Sequence, residues 1–171
     1  MRTNMLRCAM LSLALTAVNP PVNAATPVFA SEYTDLAKDC RPAFADTELE
    51  EGQDNALHCK GSGGYGLFIY FSAVDAMLTV ENARGDTVFD TPLSLDDYER
   101  GKVEWRLADG RAFAIIVRIK PKGATETLEI RGIDSHRAIR GSVPVAAHGN
   151  ANVDARAMTD KAYVASVMNE Q

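Results

Sequence analysis

The sequence predicts a mainly β domain of the α+β type: an antiparallel sheet, arranged as a sandwich or a partly open barrel, with a C-terminal helix packed on it. Three observations lead to this class. Short apolar segments are separated by glycine, proline, asparagine and aspartate, as is typical of strands joined by turns. Residues 101–120 contain the only tryptophan, the longest β-type apolar run and an Asp109-Gly110 turn signal. Residues 152–168 are rich in helix formers.

Residues 101–120 indicate a β-hairpin, and the distribution of apolar side chains selects its register. A two-residue loop at Asp109-Gly110 would mix apolar and charged side chains on both faces. A three-residue loop at 108–110 sets Trp105 opposite Phe113, leaving one face almost wholly apolar and the other polar or small. Because a one-residue slip exchanges the faces, we predict the three-residue loop. The Trp105–Phe113 pair would add roughly 0.5–1.5 kcal/mol beyond its buried area.

The remaining elements are predicted from local patterns. Residues 25–36 are expected to be extended, with Tyr33 and Leu36 packing on the sheet, whereas the polar stretches 38–55 and 92–100 are typical of loops. Further strands follow from short runs bounded by turn residues, and a proline confines the last of them to a sheet edge. They are predicted within residues 56–60, 67–71, 77–81, 87–89, 127–131 and 139–147.

The C-terminal helix is predicted to begin at Asn152, whose side chain is suited to capping a helix N-terminus. Four apolar residues recur near helical spacing, and we expect this face to lie on the sheet. They are Val153, Ala157, Val164 and Met168.

Residues 1–24 have the pattern of a signal peptide, and residues 25–171 are predicted to form a single domain. Two arginines precede an apolar run at 10–18, and small residues at 22–24 match the positions that a signal peptidase reads, with Ala30 as a second cleavage position. The run is too short to span a membrane, and no segment after residue 24 is apolar over a greater length. We therefore expect a periplasmic or secreted protein.

The charge balance disfavours nucleic acid and anionic membranes as partners. The chain has 18 basic and 23 acidic residues, a net charge of −5. Removing the leader's two arginines leaves 16 basic residues and a net charge of −7. An acidic chain without a basic cluster does not attract polyanions. Its charge could suit a basic protein partner, although solubility is the simpler interpretation of a mildly acidic chain. A protein or a cell-envelope ligand is the kind of partner that we expect.

Cys40 and Cys59 are the cysteines that remain after cleavage, and a disulfide between them is the expected state in an exported chain. Closing a loop of this length stabilises the fold by roughly 3 kcal/mol in the chain-entropy model. A metal or redox pair is the alternative, but the sequence has no Cys-x-x-Cys pattern. No metal or other cofactor is predicted.

A glycine-rich loop at residues 61–66 is the first candidate binding surface. Such loops can hold phosphate when a helix follows, but here a strand-like run follows, so a tight turn or bulge is the better interpretation. Ser62 and Tyr65 are its candidate binding residues, because exposed aromatic side chains often anchor interfaces. The alternative is that Tyr65 packs on the sheet edge.

Three arginines of the hairpin, Arg106, Arg111 and Arg118, form a second candidate surface. In the predicted register Arg106 and Arg118 share a face and are suited to binding a carboxylate. The alternative is a solvated strand face on which these charges pair with Glu104.

No catalytic residue is predicted. The three histidines lie outside any His-Glu-x-x-His motif, and no Gly-x-Ser-x-Gly elbow is present. Asp134-Ser135-His136 contains the residue types of a hydrolase triad, but adjacent residues rarely assemble one. A small cell-envelope hydrolase, including a paired-carboxylate glycosidase, remains an alternative because acidic residues are plentiful.

Several short strings occur in a fixed order along the chain, and the most specific is Glu104-Trp105-Arg106-Leu107 followed by Asp109-Gly110-Arg111-x-Phe113. Together these strings resemble a group of small exported alphaproteobacterial proteins of no known activity, and the resemblance covers most of the mature chain. It implies an exported β-rich domain and carries over no functional residue. A cysteine pair that this group has near its C-terminal helix is absent here, and His136 lies near the position of its first cysteine.

Residues 61–65 are also similar to the Ser-Gly-Ser-Gly-x-x-Tyr loop of bacterial lysozyme inhibitors, although the leading serine is missing and the tyrosine spacing differs by one. Taken together, the sequence predicts a periplasmic or secreted protein that acts by binding or is associated with the cell envelope, with no evident catalytic site. A lysozyme inhibitor acting through residues 61–66 is the first alternative.

Overall fold

The computed structural model describes residues 26–44, 56–72, 75–120, 123–146 and 149–168. The predicted signal peptide lies outside these ranges. Across these ranges the chain is mainly antiparallel β, with two open five-stranded sheets and a C-terminal helix, which confirms the predicted fold class. In chain order the elements are β1 Phe29–Asp35, α1 Leu36–Asp39, β2 Cys40–Pro42, β3 Ala56–Lys60, β4 Gly66–Phe71, β5 Ala76–Glu81, β6 Thr87–Leu93, α2 Leu95–Arg100, β7 Lys102–Ala108, β8 Arg111–Ile119, β9 Thr127–Gly132, β10 Arg140–Pro144 and α3 Ala151–Met168.

The first sheet has the order β1-β7-β8-β9-β10, and the second sheet is the meander β2-β3-β4-β5-β6. The chain therefore leaves the first sheet after β1 and returns to it at β7. Both crossings pass through short helices, α1 and α2, which contact each other. The amide of Leu36 donates to the carbonyl of Gly101, 3.1 Å away, and ties the two crossings together.

The main core lies between the two sheets and is centred on Trp105, which is fully buried. Its indole nitrogen donates to Thr34 Oγ1 at 3.0 Å, and that hydroxyl donates to the carbonyl of Lys60 at 3.1 Å. The predicted disulfide between Cys40 and Cys59 is confirmed and joins directly opposed residues of β2 and β3.

A second core lies on the outer face of the first sheet, beneath α3. Phe113, Ile116 and Ile130 of the sheet are buried there against Ala155 of the helix. The predicted polar-or-small face of the hairpin is therefore an interior surface, and the molecule has three layers: second sheet, first sheet and helix.

The predicted hairpin register is wrong. The loop has two residues, Asp109 and Gly110, with φ of 50° and 78°, which is the geometry of a type I′ turn. A bulge then inserts Phe113, so Trp105 lies opposite Ile115 and the two aromatic rings occupy different cores. Because β8 is buried on both faces, an apolar count on one face cannot select the register.

The predicted buried face of the C-terminal helix is also wrong. Val153 and Met168 are 56% and 71% exposed, and the residues facing the sheet are Ala151, Ala155 and Thr159. Small side chains let the helix lie close to the sheet. The helix begins at Ala151, one residue before the predicted cap.

The predicted strands at 56–60, 67–71, 77–81 and 127–131 are confirmed, as is the edge strand containing Pro144. The strand predicted at 87–89 extends to Leu93. The loop predicted at 92–100 is largely α2, which Ser94 and Asp97 begin with a reciprocal capping box.

Leu36 is buried as predicted, whereas Tyr33 is 52% exposed. The loop predicted at 38–55 begins instead with the end of α1 and the short strand β2. Its residues 45–55 lie outside the described ranges.

Candidate functional site

A cleft of about 770 Å³ opens at one end of the sandwich, where four connections meet. They are the 61–66 loop, the β5–β6 turn, the tip of the β7–β8 hairpin and the segment after β9. We call this the loop-end cleft. Its side-chain lining is mainly polar: Tyr65, Asn82, Arg84, Arg111, Asp134, Ser135 and Arg137.

Tyr65 is fixed at the base of this cleft by two contacts. Its ring stacks on Trp105, with centroids 5.7 Å apart and an interplanar angle of 28°. Its hydroxyl donates to a carboxylate oxygen of Asp134. Partial burial, together with this hydrogen bond and the nearby negative charge, raises the pKa of the Tyr65 phenol above its ordinary value. The Tyr65 ring thus packs on the core and also lines the cleft, and its role in binding stays a prediction.

The local sequence explains why the loop adopts this conformation. A Cβ on Gly61 would lie only 2.4 Å from the Trp105 ring, so only glycine leaves room for the indole at this position. Gly63 and Gly64 have φ of 61° and 89°, values that L residues rarely adopt, and they complete the tight turn. The predicted turn is confirmed.

Among the described residues, three guanidinium groups and one carboxylate, that of Asp134, line the loop-end cleft. Arg84 pairs with Asp86 at 3.0 Å. Arg111 and Arg137 are exposed and have no ion-pair partner within the part of the chain that the structure describes. Unpaired guanidinium groups around an immobilised tyrosine are suited to holding a carboxylate or phosphate.

Ser62, the other predicted residue of the loop, does not join Tyr65 in this cleft. It is only 7% exposed and lines a separate depression of about 350 Å³ beside Lys60 and Trp105. The loop that resembles lysozyme inhibitors therefore lies folded against the core, and only Gly63 and Gly64 are well exposed. This geometry gives the inhibitor alternative no support.

Arg106 and Arg118 do share the outer face of the first sheet, but their surroundings differ. Arg106 is 5% exposed and binds Asp160 of α3 through Nη2 at 2.6 and 2.8 Å. Its charge is thus matched within the fold. Arg118 pairs with Glu126 at 3.2 Å and keeps 40% of its side chain exposed in a second groove. As binding residues both stay predictions.

The Asp134-Ser135-His136 segment is not arranged as a triad. Asp134 accepts the Tyr65 hydrogen bond, and the His136 ring packs on Phe113 and Tyr163 with centroids 6.0 and 4.9 Å away. Within the described ranges, His136 Nδ1 is buried without a hydrogen-bond partner. The imidazole is therefore directed toward the helix layer.

Among the residues that the structure describes, no three or more histidine, cysteine, aspartate or glutamate side chains are placed to hold a metal. None of the helices described is both long and apolar enough to cross a membrane.

Sequence reasoning named Tyr65 and Arg111 but missed Arg84 and Arg137. These two arginines lie in exposed turns that look like ordinary solvated segments, and nothing in the sequence shows that the turns meet at one end of the sandwich. Comparison with protein-family models, curated proteins and solved structures gives no match.

Proposed function

We propose that this chain is an exported binding protein, periplasmic or secreted, that holds an anionic group of a protein or cell-envelope partner in the loop-end cleft. The observation that carries the proposal is that Arg111 and Arg137, which have no ion-pair partner among the described residues, line the same cleft as the fixed Tyr65. A partner's carboxylate or phosphate would accept hydrogen bonds from both guanidinium groups while an apolar group packs on the tyrosine.

Placement of the cleft supports binding as its role. It is formed by loops held on two rigid sheets, which is where proteins usually carry binding residues. Its volume lies in the range of ligand pockets, and its lining is already ordered by the Tyr65–Asp134 hydrogen bond. A preordered site loses less side-chain entropy when a partner binds.

Two features support export. The disulfide between Cys40 and Cys59 is formed, and such bonds persist mainly in oxidising compartments. The N-terminal sequence has the charge, length and small-residue pattern of a cleaved leader.

The test is affinity capture with the mature chain immobilised and periplasmic extract applied, comparing wild type with the double variant Arg111→Gln/Arg137→Gln. We expect the bound species to fall by about tenfold or more in the variant, because each hydrogen bond to a charged group contributes at least that much. Raising the salt concentration should weaken capture by wild type more than by the variant.

The matched control is Lys38→Gln/Lys161→Gln, which removes the same charge from two exposed positions outside the cleft. It should capture as wild type does. Equal losses in both double variants would show a net-charge effect and overturn the proposal, as would the absence of any species that wild type retains above the control resin.

A further inference from the structure

A second groove, of about 440 Å³, lies on the outer face of the first sheet beside the N-terminal half of α3, away from the loop-end cleft. We call it the helix-side groove. The buried Ile116 and Leu128 form its apolar base, and the charged lining comes from α2, β7, β8, the β8–β9 connection and α3. Within the part of the chain that the structure describes, the lining has four basic side chains, Lys102, Arg118, Lys120 and Arg156, and three acidic ones.

All three carboxylates in this lining already accept hydrogen bonds. Glu104 accepts from Arg156 Nε at 2.6 Å and from the Ser31 hydroxyl at 2.5 Å. Asp97 accepts from the backbone amides of Ser94 and Lys120 at 3.2 and 2.9 Å. Glu126 accepts from Arg118 Nη1 at 3.2 Å. The acceptor side of the groove is therefore occupied by the protein itself.

The hydrogen-bond donors in the lining are less fully paired than its carboxylates. Lys120 has no ion-pair partner within the described chain, and Lys102 reaches Asp35 only at 3.7 Å. Arg118 directs one of its nitrogens to Glu126. Tyr33 accepts from Arg156 at 2.7 Å, so its own hydroxyl proton remains available to a ligand. The groove thus has more available hydrogen-bond donors than acceptors around an apolar base.

From this imbalance we propose that the helix-side groove binds a small organic acid rich in hydroxyl oxygens, of the sugar-acid class. Its carboxylate is held by Arg118 and Lys120, its hydroxyls accept from Tyr33 and Lys102, and its carbon skeleton lies over Ile116 and Leu128. A bare inorganic anion would fill little of 440 Å³ and would leave the second set of donors unused. This site is independent of the proposed function of the loop-end cleft.

The experiment titrates the mature chain with three probes, glucuronate, galacturonate and gluconate, and follows binding by calorimetry and by amide chemical shifts. Glucuronate methyl ester and acetate serve as matched probes that lack the charge and the hydroxyls respectively. We expect at least one sugar acid to bind about tenfold or more tightly than both matched probes. The shifted amides should lie in β7, β8 and the first turns of α3.

The variant Arg118→Gln/Lys120→Gln should weaken that binding by about tenfold or more, and Tyr33→Phe by a few-fold, because both remove donors. Lys38→Gln/Lys161→Gln should bind as wild type does, and circular dichroism checks that each variant is folded. Three results would overturn the proposal: none of the three acids binds, the methyl ester binds as tightly as glucuronate, or the loss occurs in Arg111→Gln/Arg137→Gln instead. The last result would place the probe in the loop-end cleft and leave the proposed function standing.

Discussion

Arg106 of β7 and Asp160 of α3 form a bidentate ion pair beneath the C-terminal helix, with both carboxylate oxygens within 2.8 Å of Arg106 Nη2. One helical turn earlier, Arg156 binds Glu104 of the same strand with the charges reversed. A one-turn shift of the helix would set Arg156 against Arg106 in one direction, or Asp160 against Glu104 in the other. We call the two ion pairs, Arg106–Asp160 and Glu104–Arg156, the clamp. The clamp fixes the register of α3, whose contact face consists of small residues.

We predict that Asp160→Ala lowers the free energy of unfolding by about 3–5 kcal/mol, because it removes the nearer carboxylate from the buried Arg106 guanidinium. The carboxylate that stays near it, Glu104, is 3.9 Å away and already binds Arg156. Lys161→Ala, at the adjacent exposed position, should change it by less than about 0.5 kcal/mol. Urea unfolding of the mature chain measures both. The double variant Arg106→Met/Asp160→Met should regain much of the loss, since an apolar pair requires no charge balance. Finding the double variant less stable than Asp160→Ala would show that the clamp contributes net stability of its own.

Gly61→Ala tests the contact between the 61–66 loop and the core. The added methyl would lie 2.4 and 2.8 Å from two carbons of the Trp105 ring and 2.8 Å from the carbonyl oxygen of Tyr65. We expect a loss of about 1–3 kcal/mol on urea unfolding and a shift in tryptophan fluorescence as the indole moves.

Gly149→Ala is the matched substitution, because a Cβ at that exposed position meets no atom within 4 Å. Its stability and fluorescence should stay close to wild type. If Gly61→Ala also left the stability and the fluorescence unchanged, the close approach of the 61–66 loop to the indole would be wrong.

The second sheet was predictable from sequence because it is buried on one side. In β4, Leu67 and Ile69 face the core while Tyr70 is exposed, so its pattern has the period of a half-buried strand. The first sheet is buried on both sides, and the run around Ile115 and Ile116 has no such alternation. Its register therefore depended on a bulge that no apolar count can locate.

The polar parts of the structure were harder to predict than the strands. Glu104 and Arg156 are 52 residues apart, and in sequence each looks like an ordinary surface charge. Their pairing depends on where α3 lies, which local patterns do not specify. Tyr65 was identifiable because an aromatic residue after several glycines is unusual, whereas Arg137 becomes part of the same cleft only through the tertiary fold.

Removal of the disulfide by Cys40→Ser/Cys59→Ser should destabilise the chain by about 3 kcal/mol, the chain-entropy value for a loop of this length. The two cysteines are 19 residues apart and both are buried. Thermal unfolding of the variant, and of wild type with and without reductant, measures the effect. Reductant should leave the serine variant unchanged, and a reductant effect of similar size in that variant would contradict the assignment.

The Tyr65 phenol makes stability depend on alkaline pH. Burial, the Asp134 hydrogen bond and the Asp134 charge raise the phenol's pKa in the folded state, so the stabilisation is fully present below about pH 10, the ordinary tyrosine value, and is lost as pH rises beyond it. We expect the free energy of unfolding of wild type to fall more steeply above about pH 10 than that of Tyr65→Phe.

At neutral pH the variant should be less stable by about 1 kcal/mol, the usual net contribution of a hydrogen bond. The two curves of stability against pH should therefore converge in the alkaline range. Tyr70→Phe is the comparison variant. Burial, helped by the charges of Glu81 and Asp90, also raises the pKa of Tyr70, so this variant shows the alkaline effect of a tyrosine whose pKa is raised without the Asp134 hydrogen bond. Parallel curves for wild type and Tyr65→Phe would mean that Asp134 does not hold the phenol in its neutral form.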